Sequence, residues 1–289
     1  MIEPFIKHLL NEKRYSIHTV QSYEIDINQF HAFLEDFNET LETANPKLLR
    51  AWVVSLIEAD IKPRSVNRKI ASLRTFYKFL IKREIVAQNP VVGIRPLKIP
   101  KPLPEFIQKI EMNNMLDQMV FEDNFSGQRD RLVLELLYGT GIRLSELIGL
   151  KVADVNLYVA TIKVLGKRNK ERIIPLSVDN TSIIKTYNKH KQEAGFDSPF
   201  LLVTDAGKPC YPMLINRIVK RYLGLISKTN KKSPHVLRHT FATHMLDNGA
   251  DLNAVKDLLG HASLAATQVY THNSLEKLKS TFDQAHPKA

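Results

Sequence analysis

Apolar side chains in the first third of the chain recur at three- and four-residue spacing. Val20, Tyr23, Ile27, Phe30 and Leu34 follow Ser16, which can cap the helix they predict. Leu48, Leu49, Trp52, Val53 and Leu56 predict a second helix from Pro46 to Glu58. A third begins near Ser65, with Val66, Ile70, Leu73, Tyr77 and Leu80 on one face. The rhythm then breaks. Residues 89–104, NPVVGIRPLKIPKPLP, hold five of the chain's 14 prolines and read as a semi-rigid extended linker. Beyond it an apolar-periodic helix runs from Arg129 to Tyr138 and ends at Gly139-Thr140-Gly141, and a short helix follows from Leu144 to Leu150. Tyr158–Val164 and Arg172–Leu176 read as two strands flanking the cationic loop LGKRNKE. Further helices are expected at Ile183–Ala194, Tyr211–Ser227, His235–Asn248, Leu252–Leu259, Leu264–Thr271 and Ser274–Gln284. The fold class is therefore mainly α in two domains. An all-α domain spans residues 1–88, and an α-rich domain with a small antiparallel β-sheet spans 105–289.

The 289 residues suit about two domains at roughly 150 residues each. Charge sharpens the picture. Lys and Arg number 41 against 30 Asp and Glu, a net charge of +11 that points to a polyanionic partner. The surplus is uneven. Residues 1–60 carry five Lys/Arg and ten Asp/Glu, whereas residues 61–100 carry ten Lys/Arg and one acid. At about 100° per residue, Arg64, Arg68, Arg74, Lys78 and Lys82 share one arc opposite the apolar face. With almost no acids interleaved, this stripe reads as a contact for a DNA phosphate backbone. No stretch approaches the roughly 20 apolar residues of a membrane span, and the opening MIEPFIKHLL does not read as a signal peptide. Nucleic acid is thus favoured over lipid. The single cysteine, Cys210, cannot form an internal disulfide, which fits a cytoplasmic protein.

Three segments carry candidate chemistry: Thr140-Gly141-Ile142-Arg143-Leu144-Ser145-Glu146, His235-Val236-Leu237-Arg238-His239, and Leu259-Gly260-His261 followed by Tyr270. There is no acidic cluster suited to a hard metal, and neither GxxxxGK[ST] nor GxGxxG occurs. His235 and His239 are four apart, but the intervening Val-Leu-Arg opposes a zinc site. No metal or other cofactor is expected. Arginine clamps phosphate oxygens, histidine moves protons near neutral pH, and a hairpin lysine can protonate a leaving alkoxide. Tyrosine supplies an oxygen nucleophile. Together they fit attack of a tyrosine on a phosphodiester.

These residues resemble the tyrosine recombinases of the Xer type. The resemblance covers nearly the whole chain, through SIHTVQSYEIDINQFHAFL, SVNRKIASLRTFYKFL, TGIRLSEL, GKRNKERIIPL, HVLRHTFATHML, LLGHASLAATQVYTH and LEKLKSTFDQAHPKA. It implies a SAM-like core-binding helical bundle followed by a catalytic domain of the DNA breaking-rejoining fold, the two forming a C-shaped clamp on the duplex. It implies that Arg143 and Arg238 bind the scissile phosphate and that Lys167 is the general acid. His235 would be an acid/base and phosphate contact, and His261 a transition-state donor. Tyr270 would form a 3′-phosphotyrosyl link, with Glu146 orienting an arginine. Four protomers, identical or paralogous, would act on two duplexes through a Holliday junction. The C-terminal helix would dock on a neighbouring protomer, and a DNA translocase of the FtsK type would be a possible activator. The expected role is chromosome-dimer resolution at dif-type sites by a nucleoid-associated enzyme. An integrase of a mobile element is the alternative, ahead of a type IB topoisomerase-like enzyme or a non-catalytic DNA-binding module. One departure is Arg168 after Lys167, where glycine is common, which leaves Lys170 as a rival acid. Another is Ala265-Ala266, where a second threonine is common.

Overall fold

The computed structural model describes residues 1–100, 105–166, 171–227, 229, 231–260 and 272–287. The chain divides into two compact units, residues 1–103 and 104–289. Each builds its own hydrophobic core.

In the first unit, α1 (Ile2–Lys7) runs into a π-helical turn (His8–Glu12) and is followed by α2 (Ile17–Glu35), α3 (Pro46–Glu58) and α4 (Pro63–Lys82). Ser16 stands extended, and its Oγ accepts from Thr19 N, as the sequence predicts. Asn45 caps α3 by accepting from Lys47 N and Leu48 N at 2.9 and 3.0 Å. Helix α4 starts two residues earlier than expected, because Pro63 occupies its first turn, where no N–H is needed. Phe30 meets Trp52 at 4.9 Å and Phe5 meets Phe76 at 5.2 Å between ring centres, so aromatic packing joins α2 to α3 and α1 to α4.

One expectation needs correction here. The proline-rich stretch is a linker only in its last part. Val91 and Ile94 are buried in the first core. Asn67 on α4 pairs with Leu97 through both backbone groups, at 2.9 and 2.7 Å. Arg74 donates to the carbonyl of Ile94 at 3.1 Å. Apolar residues at three-residue spacing give this stretch a face to bury, and a count of prolines overlooks it.

The second unit contains α5 (Lys109–Asn113), α6 (Phe125–Thr140), α7 (Leu144–Gly149), β1 (Val155–Asn156), β2 (Thr161–Leu165), β3 (Glu171–Pro175), α8 (Val178–Glu193), α9 (Pro212–Ile226), α10 (Pro234–Asp247), α11 (Leu252–Leu259) and α12 (His272–Ala285). Helix α6 is buried along almost its whole length and packs against α8 and α10. Asn124 accepts from Gly127 N at 2.8 Å, which starts α6 four residues before the predicted point. The sheet is antiparallel in the order β1-β2-β3, with Ile162 opposite Ile174 and Leu165 opposite Glu171. The predicted strand from Tyr158 begins later. Asn156 Oδ1 accepts from the backbone of Tyr158 and Val159, and Ala160 takes φ +49°, so these residues turn. Tyr158 is almost fully exposed.

Within the single chain, the C-terminal helix packs on its own unit. Leu278, Phe282 and Ala285 enter the second core, and Lys279 donates to the carbonyl of Val159 at 2.7 Å. Buried His286 is hydrogen-bonded to the carbonyl of Gly139 at 2.9 Å. These apolar positions need a cover, and within a single chain the nearest one is the unit's own core. The helix expected over Leu264–Thr271 lies outside the described residues. Among the described residues no helix is long and apolar enough to cross a membrane.

Candidate active site

Helix α6 ends at Gly141, which has φ +59°. A Cβ there would stand 2.5 Å from Cδ1 of Phe241 and 2.8 Å from Cδ2 of Leu259, so both the turn and the packing require glycine. The turn places Arg143, in extended geometry, directly before α7. Glu146 sits in the first turn of α7, and its Oε2 accepts from Arg143 N at 2.9 Å. Its Oε1 accepts from Nη1 of Arg143 at 2.8 Å. From β3, Arg172 adds a two-pronged pair to the same carboxylate, at 2.7 and 2.8 Å. Burial alone would push the Glu146 carboxyl up. The hydrogen bonds and charge of Arg172, and then those of Arg143, outweigh it and hold the carboxyl at about 2. Glu146 is therefore an ionised carboxylate whose side chain is almost wholly buried.

The end of α11 completes the cluster. The last carbonyls of a helix lack partners within it and carry its negative dipole end. Here three successive carbonyls each take one arginine: Leu258 accepts from Nε of Arg172 at 2.9 Å, Leu259 from Nη2 of Arg238, and Gly260 from Nη2 of Arg143 at 2.9 Å. Gly260 caps the helix at φ +63°, and a Cβ on it would meet Cδ of Arg172 at 3.1 Å. Arg238 projects from α10 and also donates from Nη1 to the carbonyl of Gly141. Burial, together with the nearby Arg143 and Arg172 cations, pushes the Arg238 guanidinium down to about 10, with Glu146 acting the other way. One carboxylate thus serves three guanidinium groups, and the cluster keeps a positive excess. The Arg143 side chain is 31% exposed, so this charge faces an entering ligand. An anion with several oxygens is the chemistry it suits.

Of the residues singled out in the sequence, Arg143, Glu146 and Arg238 come together in this cluster. His235 stands exposed one turn before Arg238 on α10. Lys167, Lys170, His261 and Tyr270 lie outside the described residues. Arg172 escapes sequence reasoning, because RIIPL reads simply as a strand. The signal that could have found it is its phase: Arg172 and Ile174 are both buried positions of β3, and an arginine on the buried side of a strand needs an acid. Among the described residues no three His, Cys, Asp or Glu side chains assemble as a metal site. His244 is buried and hydrogen-bonded to the Tyr138 hydroxyl at 2.9 Å.

On α4, Arg64, Arg68, Lys78 and Lys82 of the basic stripe are exposed. Arg68 also donates to Asp26, which takes Lys69 at 3.1 Å and Ser72 at 3.0 Å, and Arg74 holds Ile94. The acid that tempers the stripe comes from α2, more than 40 residues away, where no local count detects it.

The phage integrase family matches residues 105–277, and the N-terminal SAM-like domain of phage integrases matches residues 2–84. The tyrosine recombinase XerC of Chlorobaculum tepidum is 37% identical, over 99% of this chain and 94% of its own. That of Staphylococcus epidermidis strain ATCC 12228 is 41% identical, over 99% and 97%. Among solved structures, the XerH site-specific recombinase bound to a palindromic difH substrate has the same fold. Its TM-score is 0.74 at 22% identity, over 96% of this chain and 82% of that one. With both domains matched in order, and relatives this similar along nearly its entire length, the chain belongs to the phage integrase family as an Xer-type tyrosine recombinase, an enzyme that cleaves and rejoins DNA by transesterification.

Proposed function

We propose that this recombinase resolves chromosome dimers at a dif-type site, with Tyr270 as its nucleophile. The observation that carries the site assignment is the positive excess around Glu146, with Arg143 facing outward and Arg238 held down by its neighbours. A phosphodiester entering there supplies the missing negative charge. Arg143 and Arg238 hold its non-bridging oxygens and stabilise the charge that builds in the transition state. The Tyr270 oxygen attacks phosphorus, and the bond to the 5′-oxygen breaks. The phenolic proton passes to His235, Lys167 protonates the departing 5′-oxygen, and His261 donates a hydrogen bond to the phosphoryl group. Rejoining reverses these steps with a 5′-hydroxyl from the partner strand. One phosphoester replaces another throughout, so no nucleotide hydrolysis is required.

The XerC identity of the relatives at 37–41% favours the chromosomal role over a mobile-element integrase. A Tn1549 transposon integrase also shares the fold, with a TM-score of 0.74, but at 18% identity. On this reading, a second protomer, identical or paralogous, completes the assembly on DNA. Helix α12 leaves its own core to dock on that neighbour, and a translocase of the FtsK type activates the complex. Arg64, Arg68, Arg74, Lys78 and Lys82 touch the phosphate backbone.

The test is a nicked duplex carrying a dif-type site, incubated in EDTA without ATP and run on a denaturing gel. Wild type should give a covalent protein–DNA adduct. Tyr270→Phe should give none while binding the same duplex. An adduct formed by Tyr270→Phe would overturn the assignment of the nucleophile.

A further inference from the structure

We infer that Arg172 is a positioning residue for strand cleavage: it fixes the Glu146 carboxylate and the end of α11, and through them places Arg143 and the segment that leads to His261. The inference rests on the phosphate-binding reading above and adds a residue to it.

Every type of nitrogen in the Arg172 guanidinium is engaged by the protein. Nη1 and Nη2 take the two oxygens of Glu146 at 2.7 and 2.8 Å, and Nε takes the carbonyl of Leu258 at 2.9 Å. The residue is 5% exposed, so it stands behind the site and leaves the DNA-facing role to others. Its effect on Arg143 follows from competition for one carboxylate. Arg172 occupies both oxygens of Glu146, so Arg143 needs only one edge of its guanidinium to bond Oε1. Without Arg172, Arg143 would be the main cation left to neutralise Glu146. It would turn toward the carboxylate and away from a phosphate.

The second effect is mechanical. Arg172 is the second residue of β3, five positions after Lys167 in the chain. Its side chain ties that strand to the last turn of α11, which continues through Gly260 to His261. A Cβ on Gly260 would press on Arg172 Cδ at 3.1 Å, so the Arg172 side chain lies directly against the cap of α11. Lysine cannot reproduce this arrangement. A single ammonium lacks the planar fork that reaches both carboxylate oxygens and a carbonyl at once.

The experiment uses the full-length protein, with Arg172→Lys and Arg172→Met, on the nicked duplex. Arg172→Lys should slow single-turnover adduct formation by about 10–100-fold, the scale of a lost supporting contact, and leave the Kd for the duplex unchanged. It should also add a new acid limb to the pH–rate profile. Glu146 loses its strongest cation pair, so its carboxyl titrates at higher pH and activity falls as the pH drops through that value. A merely structural role would scale binding and cleavage together and add no limb. If Arg172→Met fails to fold, Arg172→Lys alone carries the test. Wild-type rate and profile in Arg172→Lys would overturn the inference. Wild-type failure to form any adduct would instead count against the proposed function. The inference is then read from the NMR signals of the Arg143 guanidinium during titration with inorganic phosphate. Weaker phosphate binding by Arg172→Lys supports it, and equal binding overturns it.

Discussion

Each unit of the molecule contains a buried carboxylate surrounded by cations, and the two differ in what they leave over. Asp26 in the first unit is fully buried and takes Arg68, Lys69 and Ser72, all from α4. It joins two neighbouring helices. Glu146 in the second unit gathers Arg143 and Arg172 directly and faces Arg238. The three arginines also bind successive carbonyls of α11, so four elements meet there. Around Asp26, Lys69 is buried and shares its ammonium with Gln29 as well, so its charge is taken up by the packing, while Arg68 is 43% exposed and bonded to the acid. Around Glu146, three guanidinium groups gather near one carboxylate. The same physical device, a desolvated ion cluster, builds a helix contact in one unit and an anion site in the other. What decides the outcome is the number of cations gathered around one acid.

The largest expected effect separates the two clusters by stability. Asp26→Ala strands a buried Lys69 without its acid and should cost about 3–5 kcal/mol. It should appear as an early transition when the full chain is unfolded in urea. Wild-type unfolding of that variant would remove the structural role assigned to Asp26.

Acid should find Glu146 next. Its folded value of about 2 lies below the ordinary 4.5. The stabilisation is therefore complete above pH 4.5 and is lost as the pH falls from there toward 2. It amounts to roughly 3 kcal/mol at 1.36 kcal/mol per unit. Thermal melts across this window should show the loss in wild type and a flatter profile in Glu146→Gln. Equal slopes would show that Glu146 is no better paired than an exposed carboxylate.

The two glycines that frame the arginine cluster give a ranking between themselves, with Gly260 the smallest effect. Gly141→Ala combines left-handed strain of about 1–2 kcal/mol with a clash of similar cost against Phe241 and Leu259. Gly260→Ala has the strain but only a tight contact with Arg172, so about 1 kcal/mol is expected. Chemical denaturation of both variants checks the order, and the reverse order would contradict the packing described around Gly141.

Much of the helical framework and part of the arginine cluster are legible in the amino-acid sequence. The helices at Pro46–Glu58 and Leu252–Leu259 match the predicted bounds, because apolar spacing, Asn45, Asp251, Pro46 and Gly260 all act within a few residues of one another. Arg143, Glu146 and Arg238 stand out for the same reason, as parts of short motifs. Relations across distance are not legible in this way: Asp26 under the basic stripe, Val91 and Ile94 folded back onto α4, Arg172 behind Glu146, and α12 seated on its own core.

The sequence by itself determined where most helices start and stop, which residues carry charge and nucleophilic chemistry, and which family the chain belongs to. Backbone propensity, capping and motif spacing are local properties written in neighbouring residues. Only the tertiary structure decided which charges neutralise one another and which remain for a ligand. Arg68 and Arg143 look alike in the chain. Both side chains are partly exposed, but Arg68 is bonded to a buried aspartate that it shares with Lys69, whereas Arg143 stands beside a glutamate whose two oxygens are already held by Arg172. That difference depends on the desolvation and close approach of residues 26 to 117 positions apart, and both arise only when the elements pack.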